Sequence, residues 1–373
     1  MMTIDERKVR HSAPNIFDKS TLIEDAVTFY LDNKLYTGWK TVSVTRTLNS
    51  VSGSYKLTIL DRFTEDGDAW ELKPGKRAHL HLGRNAVFEG YIDNMDASYS
   101  SSTRNVTLTG RDRTADLVDC SVVGELEYQN LTIQQVAEKL LVPFGIKVLA
   151  LSSVGEPFPT ISIRPAEKVF DVLQRLARQR GLLLYSSTHG NLIIGSKGVT
   201  RASTELVQGV NILEASVTFD NTDRYSDYIV KAQNDGLTGS KSEDGTEAEG
   251  SAKDAGVGRY RPSVIIAETS GDTSMAKTRA QWEATYKSSK AMTIKIKVAG
   301  WREKNGDLWD INRLVYLNSP SVGVSDQFLI NAVNYTQSEN QARVCTLELV
   351  RKDSYDVKPE VPMDDDPLAG LGL

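Results

Sequence analysis

The chain has little of what catalysis, metal binding or membrane insertion is built from. Its 373 residues include two cysteines and four histidines. Cys120 and Cys345 lie far apart and fit no metal-ligand spacing, so they read as free thiols of a reducing cytoplasm. His79 and His81 stand two apart, which puts both on one face of a strand, but a metal site needs a third ligand and none suggests itself. His11 falls in a polar arm and His189 in a hairpin turn, where solvated roles are expected. No GxSxG, HExxH, P-loop or GxGxxG pattern occurs. The sequence therefore predicts no catalytic residue, no cofactor and no metal. Apolar runs stay well short of the roughly 18 residues of a membrane helix, and MMTIDERKVRHS lacks the apolar core of a signal peptide, so synthesis in the producer's cytoplasm is expected.

Basic charge is also in short supply. Lys+Arg number 44 against 49 Asp+Glu, a net charge of −5. Such a balance is poor for gripping nucleic acid, whose binding is dominated by phosphate neutralisation. Neighbouring carboxylates occur at Glu65-Asp66, Asp93 with Asp96, and Asp364 to Asp366, but the separation a glycosidase needs is not written in sequence, and solvated turns are the default. With 40% hydrophobic and 25% charged residues, the chain has material for two or three domains with real cores.

The clearest local grammar runs from Glu167 to Gly195, EKVFDVLQRLARQRGLLLYSSTHGNLIIG. Val169, Val172, Leu173, Leu176 and Ala177 recur at helical spacing, Arg178 and Arg180 suit a helix C-terminus, and Gly181 supplies the left-handed stop. Leu182 to Tyr185 and Leu192 to Ile194 then read as a hairpin. Upstream, Thr132 with Gln135 resembles a capping box, and Ile133, Val136, Ala137, Leu140 and Leu141 form a stripe that Pro143 ends. Gly145 and a strand from Ile146 to Leu149 follow.

On either side the text is β. VTFYLDNKLYTGW turns at Asp32-Asn33, and TVSVTRTLN, SYKLTIL, AHLHL, AVFEGYIDNM and RNVTLTG follow at short intervals, which predicts a barrel or sandwich lined by Val42, Val44, Leu57, Ile59, Leu80, Leu82, Val106 and Leu108. The fold class expected is β-rich α+β: an N-terminal arm (1–25), a first β-barrel-like domain (26–118), an α+β insert of two helix-strand units (119–200), a second β-barrel-like domain (201–352) and a flexible tail (353–373). The second domain is expected to carry a helix over 274–289 and a mobile loop over 236–258, since the latter tract has almost no large apolar residue with which to offset its ordering entropy.

SVTRTLNSVSGSYKLTIL, RNVTLTGRDRTADLVDCSV, LTIQQVAEKLLVPFGIKV and the stretch from Glu167, in that order, resemble the baseplate hub proteins of contractile-tailed phages of the Mu type. The likeness extends more distantly to the late control D family and to the N-terminal half of type VI secretion VgrG spikes, and spans about residues 26 to 352. Its single motifs are loose, and its specificity lies in their order. The resemblance implies a homotrimeric, non-enzymatic ring in the virion, assembled in the host cytoplasm. Two similar barrels per chain would adapt a six-fold tail tube to a three-fold central spike, which would be a separate protein. DNA would pass through the channel without specific binding. Trp301, Trp309, Tyr316, Arg46, Arg111 and Arg113 are the candidate interface residues, with core packing the competing role for the aromatics. Two alternatives stand beside this: a peptidoglycan-cleaving tail enzyme, and a carbohydrate-binding β module using Trp301 or Trp309 as a stacking platform.

Overall fold

The computed structural model describes residues 26–31, 34–60, 72–101, 104–232, 248–266, 273–339 and 341–355. Period-two patterning sets its largest sheet. Thr41–Thr47, Ser54–Leu60 and Arg104–Arg111 pair antiparallel, with Val42 opposite Leu57 and Leu57 opposite Leu108. Val42, Val44, Leu57, Ile59, Val106 and Leu108 are buried on one face. Ser43, Thr45, Thr58, Thr107 and Thr109 alternate with them and stay half-buried on the other. Asn94–Tyr99 closes this end of the sheet.

At its other side Thr41–Thr47 pairs with Val324–Ser338, placing Val44 opposite Tyr335 and Arg46 opposite Val333. The two β regions of the sequence thus share one ten-stranded sheet, which continues through Gln341–Arg351 and Met292–Ala299 to Ile212–Phe219. A separate four-stranded sheet is ordered Lys34–Tyr36, Val27–Leu31, Arg77–Leu82, Asn85–Tyr91. It buries Leu80 and Leu82, which the alternation had assigned to a common inner face with Leu57 and Leu108. The Tyr55 ring of the large sheet meets Phe29 and Phe88 of the small one at 5.7 and 4.7 Å. Among the described residues no sheet closes into a barrel, so the fold is β-rich α+β with open sheets in place of the two barrels expected.

The insert follows its local signals closely. Three helices, α1 (Ala115–Asp119), α2 (Ile133–Leu141) and α3 (Val169–Arg180), pack with short strands. Thr132 and Gln135 form the reciprocal capping box, and the five stripe residues of α2 are all buried. Gly181 adopts φ 68° and its N–H donates to the Ala177 and Arg178 carbonyls, ending α3. Leu183–Ser186 and Leu192–Gly195 form the hairpin, and Val148–Ala150 adds to it in parallel. An antiparallel pair, Glu127–Leu131 with Phe158–Ser162, has no strong sequence signal. One core of aliphatic side chains from α2, α3 and the hairpin holds the insert together.

The chain divides into two compact units, Met1–Ser216 with Ile294–Leu349, and Val217–Thr293 with Val350–Leu373. In the smaller unit Asp227–Ala232 is flanked by Ala248–Lys253 and Pro262–Ile266, and α4 (Thr273–Lys290) packs on this sheet. Ala248–Lys253 corrects the sequence expectation: AEGSAK, read as part of a mobile loop over 236–258, is a strand. Its small residues are there because α4 lies directly on it. A Cβ at Gly250 would run into the backbone of Ala276 and Lys277. Residues 236–247, the arm over 1–25, Asp32-Asn33, Glu65-Asp66 and all of the tail beyond Tyr355 lie outside the described residues.

Candidate functional site

The segment Gly110 to Thr114, inside TGRDRTADLVD, is where the first β region hands over to the insert. Gly110, one residue before the end of its strand, has no side chain because a Cβ there would enter the Tyr55 ring and the Tyr91 carbonyl. Asp112 follows, 3% exposed. Its carboxylate accepts from the backbone N–H of Gly53 at 2.6 Å and of Thr114 at 3.2 Å, and the Thr114 hydroxyl lies against it. Burial pushes the Asp112 carboxyl up from its ordinary value, and these donors pull the other way. The Thr114 hydroxyl donates to the Val51 carbonyl at 2.7 Å, so both strand ends of the first β region are tied to the start of α1.

Arginines extend the joint. Arg113 donates to the carbonyls of Phe144 and Gly145 beyond α2, the former at 3.1 Å, and lies 3.6 Å from the Glu89 carboxylate. Arg46, 6% exposed, pairs with Asp310 of the second β region and donates to the Ser186 carbonyl at 3.2 Å. Arg111 bridges Asp93 at 2.8 Å and Asp119 at 2.7 Å; these bonds hold the Asp119 carboxyl below the usual carboxylate range. The three arginines expected at an interface between chains are therefore engaged within one chain. Their weights differ: the half-exposed Arg111 pairs are worth about 0–1 kcal/mol, whereas stripping Asp310 from the buried Arg46 would leave a charge without its partner.

The aromatic candidates separate by burial. Trp301 is 0% and Trp309 2% exposed. The Trp301 indole N–H donates to the Thr336 carbonyl at 3.1 Å, and the Trp309 carbonyl accepts from the Tyr335 hydroxyl. Both fill the core of the larger unit and offer no face to a partner or a glycan. Tyr316 alone stays on the surface, with its hydroxyl 3.0 Å from Ser325 Oγ.

Sequence reasoning missed the joint's central members: Asp112, Thr114, Glu89 and Gly190. It also missed that three of the four histidines border it. His79 Nδ1 is 3.8 Å from Glu89, the His81 ring meets Tyr30 at 5.4 Å, and His189 lines the same cleft as His81. Among the described residues no group of three or more His, Cys, Asp or Glu is placed to hold a metal ion. Asp93 and Asp96, one of the carboxylate pairs noted in the sequence, bond to Arg111 and Asn94 respectively. The only sequence signal for the joint was the density of charge in GRDRTAD at the end of a strand.

Three family models match in succession. Residues 26–112 match the N-terminal domain of the Mu phage baseplate assembly protein GpP-like family, 114–196 the second domain of the baseplate hub protein gp44-like family, and 272–358 the fourth domain of the Mu phage baseplate assembly protein GpP. The first boundary falls on the Asp112–Thr114 joint. Over 347 residues the chain is 32% identical to baseplate hub protein gp44 of Escherichia phage Mu, covering 91% of each. Among solved structures it is similar to the 43 kDa tail protein of prophage MuSo2 from Shewanella oneidensis, with a TM-score of 0.78, 32% identity, and coverage of 88% of this chain and 99% of that one. A tail protein from Neisseria meningitidis MC58 shares the fold at a TM-score of 0.75 and 20% identity, over 90% of this chain and 100% of that one. So, more loosely, does the E. coli type VI secretion component c3393, at a TM-score of 0.54 and 11% identity, over 89% and 79%.

Proposed function

The chain belongs to the baseplate hub proteins of Mu-like phages, and on that premise we propose that it is the non-enzymatic structural hub of a contractile tail. Three copies form a ring that adapts the six-fold tube to a three-fold central spike, a separate protein. The ring sits in the virion baseplate, assembled in the host cytoplasm, and its channel passes DNA without specific binding. The observation that carries this reading is the hub likeness over nine tenths of the chain. The sheet supports it: pairing of Thr41–Thr47 with Val324–Ser338 sets the first and second β regions (26–118 and 201–352) side by side, so three copies present six β regions. The insert, 119–200, is the buttress tied to them by Arg46, Asp112 and Arg113. Of the original six, Tyr316 is the interface residue we favour; Trp301, Trp309 and Arg46 are buried within the chain, and Arg111 and Arg113 are engaged there by ion pairs.

Sedimentation and native mass measurement test the ring. A particle of three times the 41.2 kDa chain mass is expected, alone or with the spike protein. A monomer at every concentration, spike present, overturns the proposal. Burial of Trp301 and Trp309 removes the platform on which a carbohydrate-binding reading depends. A wall-cleaving activity would release soluble fragments from purified peptidoglycan; none is expected.

A further inference from the structure

Three histidines gathered from two distant segments need a reason. His79 and His81 lie on the strand Arg77–Leu82, while His189 lies in the turn of the insert's hairpin. That turn touches the first β region directly: a Cβ at Gly190, φ 64°, would stand 2.5 Å from the Glu89 carbonyl and 3.1 Å from the Arg113 side chain. His81 and His189 also face one cleft of about 480 Å³, with Arg46, Arg84, Arg313, Asp307 and Asp310 among its lining residues. We propose that this histidine seam is an acid-sensitive latch, which holds the hairpin against the first β region at neutral pH and loosens it on acidification.

Burial in the seam sets the direction, and the surrounding charges act beside it. Glu89 is the one carboxylate that acts on His79, and it already pairs with Arg77 and lies 3.6 Å from Arg113. Glu89 favours a proton on His79, but that proton would make a third cation on a carboxylate already serving two, and burial outweighs it. His81 packs its ring on Tyr30 and feels His79 and His189, both of which oppose its protonation. In the cleft, Asp310 is paired with Arg46, and the remaining lining charges are Arg84, Arg313 and Asp307. On the turn itself the Thr188 hydroxyl lies 3.1 Å from His189 Nδ1 and contributes no charge. Burial, the larger effect, likewise lowers both His79 and His81 below the ordinary 6.5. Folded-state values below the unfolded ones mean that the folded chain binds fewer protons. The contribution of the seam to stability is therefore present above about pH 6.5 and is lost as pH falls below it.

Hydrogen exchange of the intact chain, corrected for the intrinsic pH dependence, tests the latch on peptides covering 183–195. Between pH 7.5 and 5.5 the hairpin of the wild-type chain should lose protection by more than about threefold, because the unfolded chain takes up protons that the folded seam resists. The double variant His79→Gln, His81→Gln should lose less than about threefold. Unchanged protection in the wild-type chain, or an equal loss in both proteins, overturns the proposal. Should the double variant fail to fold, exchange of the imidazole carbon-bound hydrogen in the wild-type chain gives a separate reading. Midpoints below 6.5 at His79 and His81 support the latch, and midpoints at or above 6.5 refute it.

Discussion

Replacing Asp112 by alanine should loosen the joint between the first β region and the insert, and the structure sets the size of the effect. Two buried backbone donors, the N–H groups of Gly53 and Thr114, lose their acceptor, and each such loss costs about 1–3 kcal/mol. Removing a buried carboxylate relieves part of its desolvation, so a net loss of about 2–4 kcal/mol is expected. The pH dependence carries a sign. Because the folded-state value of Asp112 is raised above its unfolded one, its stabilising contribution is complete at low pH and declines as pH rises through the folded-state value. The alanine variant should therefore fall furthest below wild type near pH 4 and approach it as pH increases. Urea unfolding followed by tryptophan fluorescence reads this directly, since Trp39, Trp301 and Trp309 are all buried in the larger unit. A loss under about 1 kcal/mol, or a gap that widens with pH, would refute the view that Asp112 anchors the joint.

Two further substitutions probe other parts of the argument. Gly250→Val should destabilise the smaller unit by about 1–3 kcal/mol or more, because the added carbons meet the backbone of α4 at Ala276 and Lys277. Limited proteolysis should show new cuts within 217–293, and cleavage no faster than wild type would mean that α4 does not lie on that strand. Trp301→Ala should cost about 3–5 kcal/mol in urea unfolding, as truncation of a fully buried aromatic does. A change under 1 kcal/mol would instead place this side chain at a surface.

Local signals were legible wherever the relevant chemistry lies within one turn or one strand. The α2 stripe, the Thr132–Gln135 box, the Gly181 stop and the 183–195 hairpin all involve partners within a few residues. The alternation in TVSVTRT and RNVTLTG correctly separated buried aliphatics from half-buried hydroxyls. The same alternation could not tell Leu57 and Leu80 apart, because period two says which side chains turn inward and not which sheet they enter. AEGSAK misled for a related reason: small residues mark either a tract with nothing to bury or a strand on which another backbone sits, and only the position of α4 chooses between them.

Charge was the least legible feature. Arg46 and Asp310 are 264 residues apart, and Arg113 meets carbonyls beyond α2 whose position depends on the packed insert. Nothing in the local text distinguishes an arginine destined for such a bond from one left for a partner chain. What the sequence alone determined was the kind and order of elements, because φ/ψ preferences, caps and side-chain periodicity act between neighbours. Tertiary structure alone decided that both β regions share one sheet, that Arg46, Arg111 and Arg113 find partners within the chain while Trp301 and Trp309 are buried, and that His81 and His189 line one cleft. Those outcomes depend on strand partners and packing distances between residues far apart along the chain, which no local preference encodes.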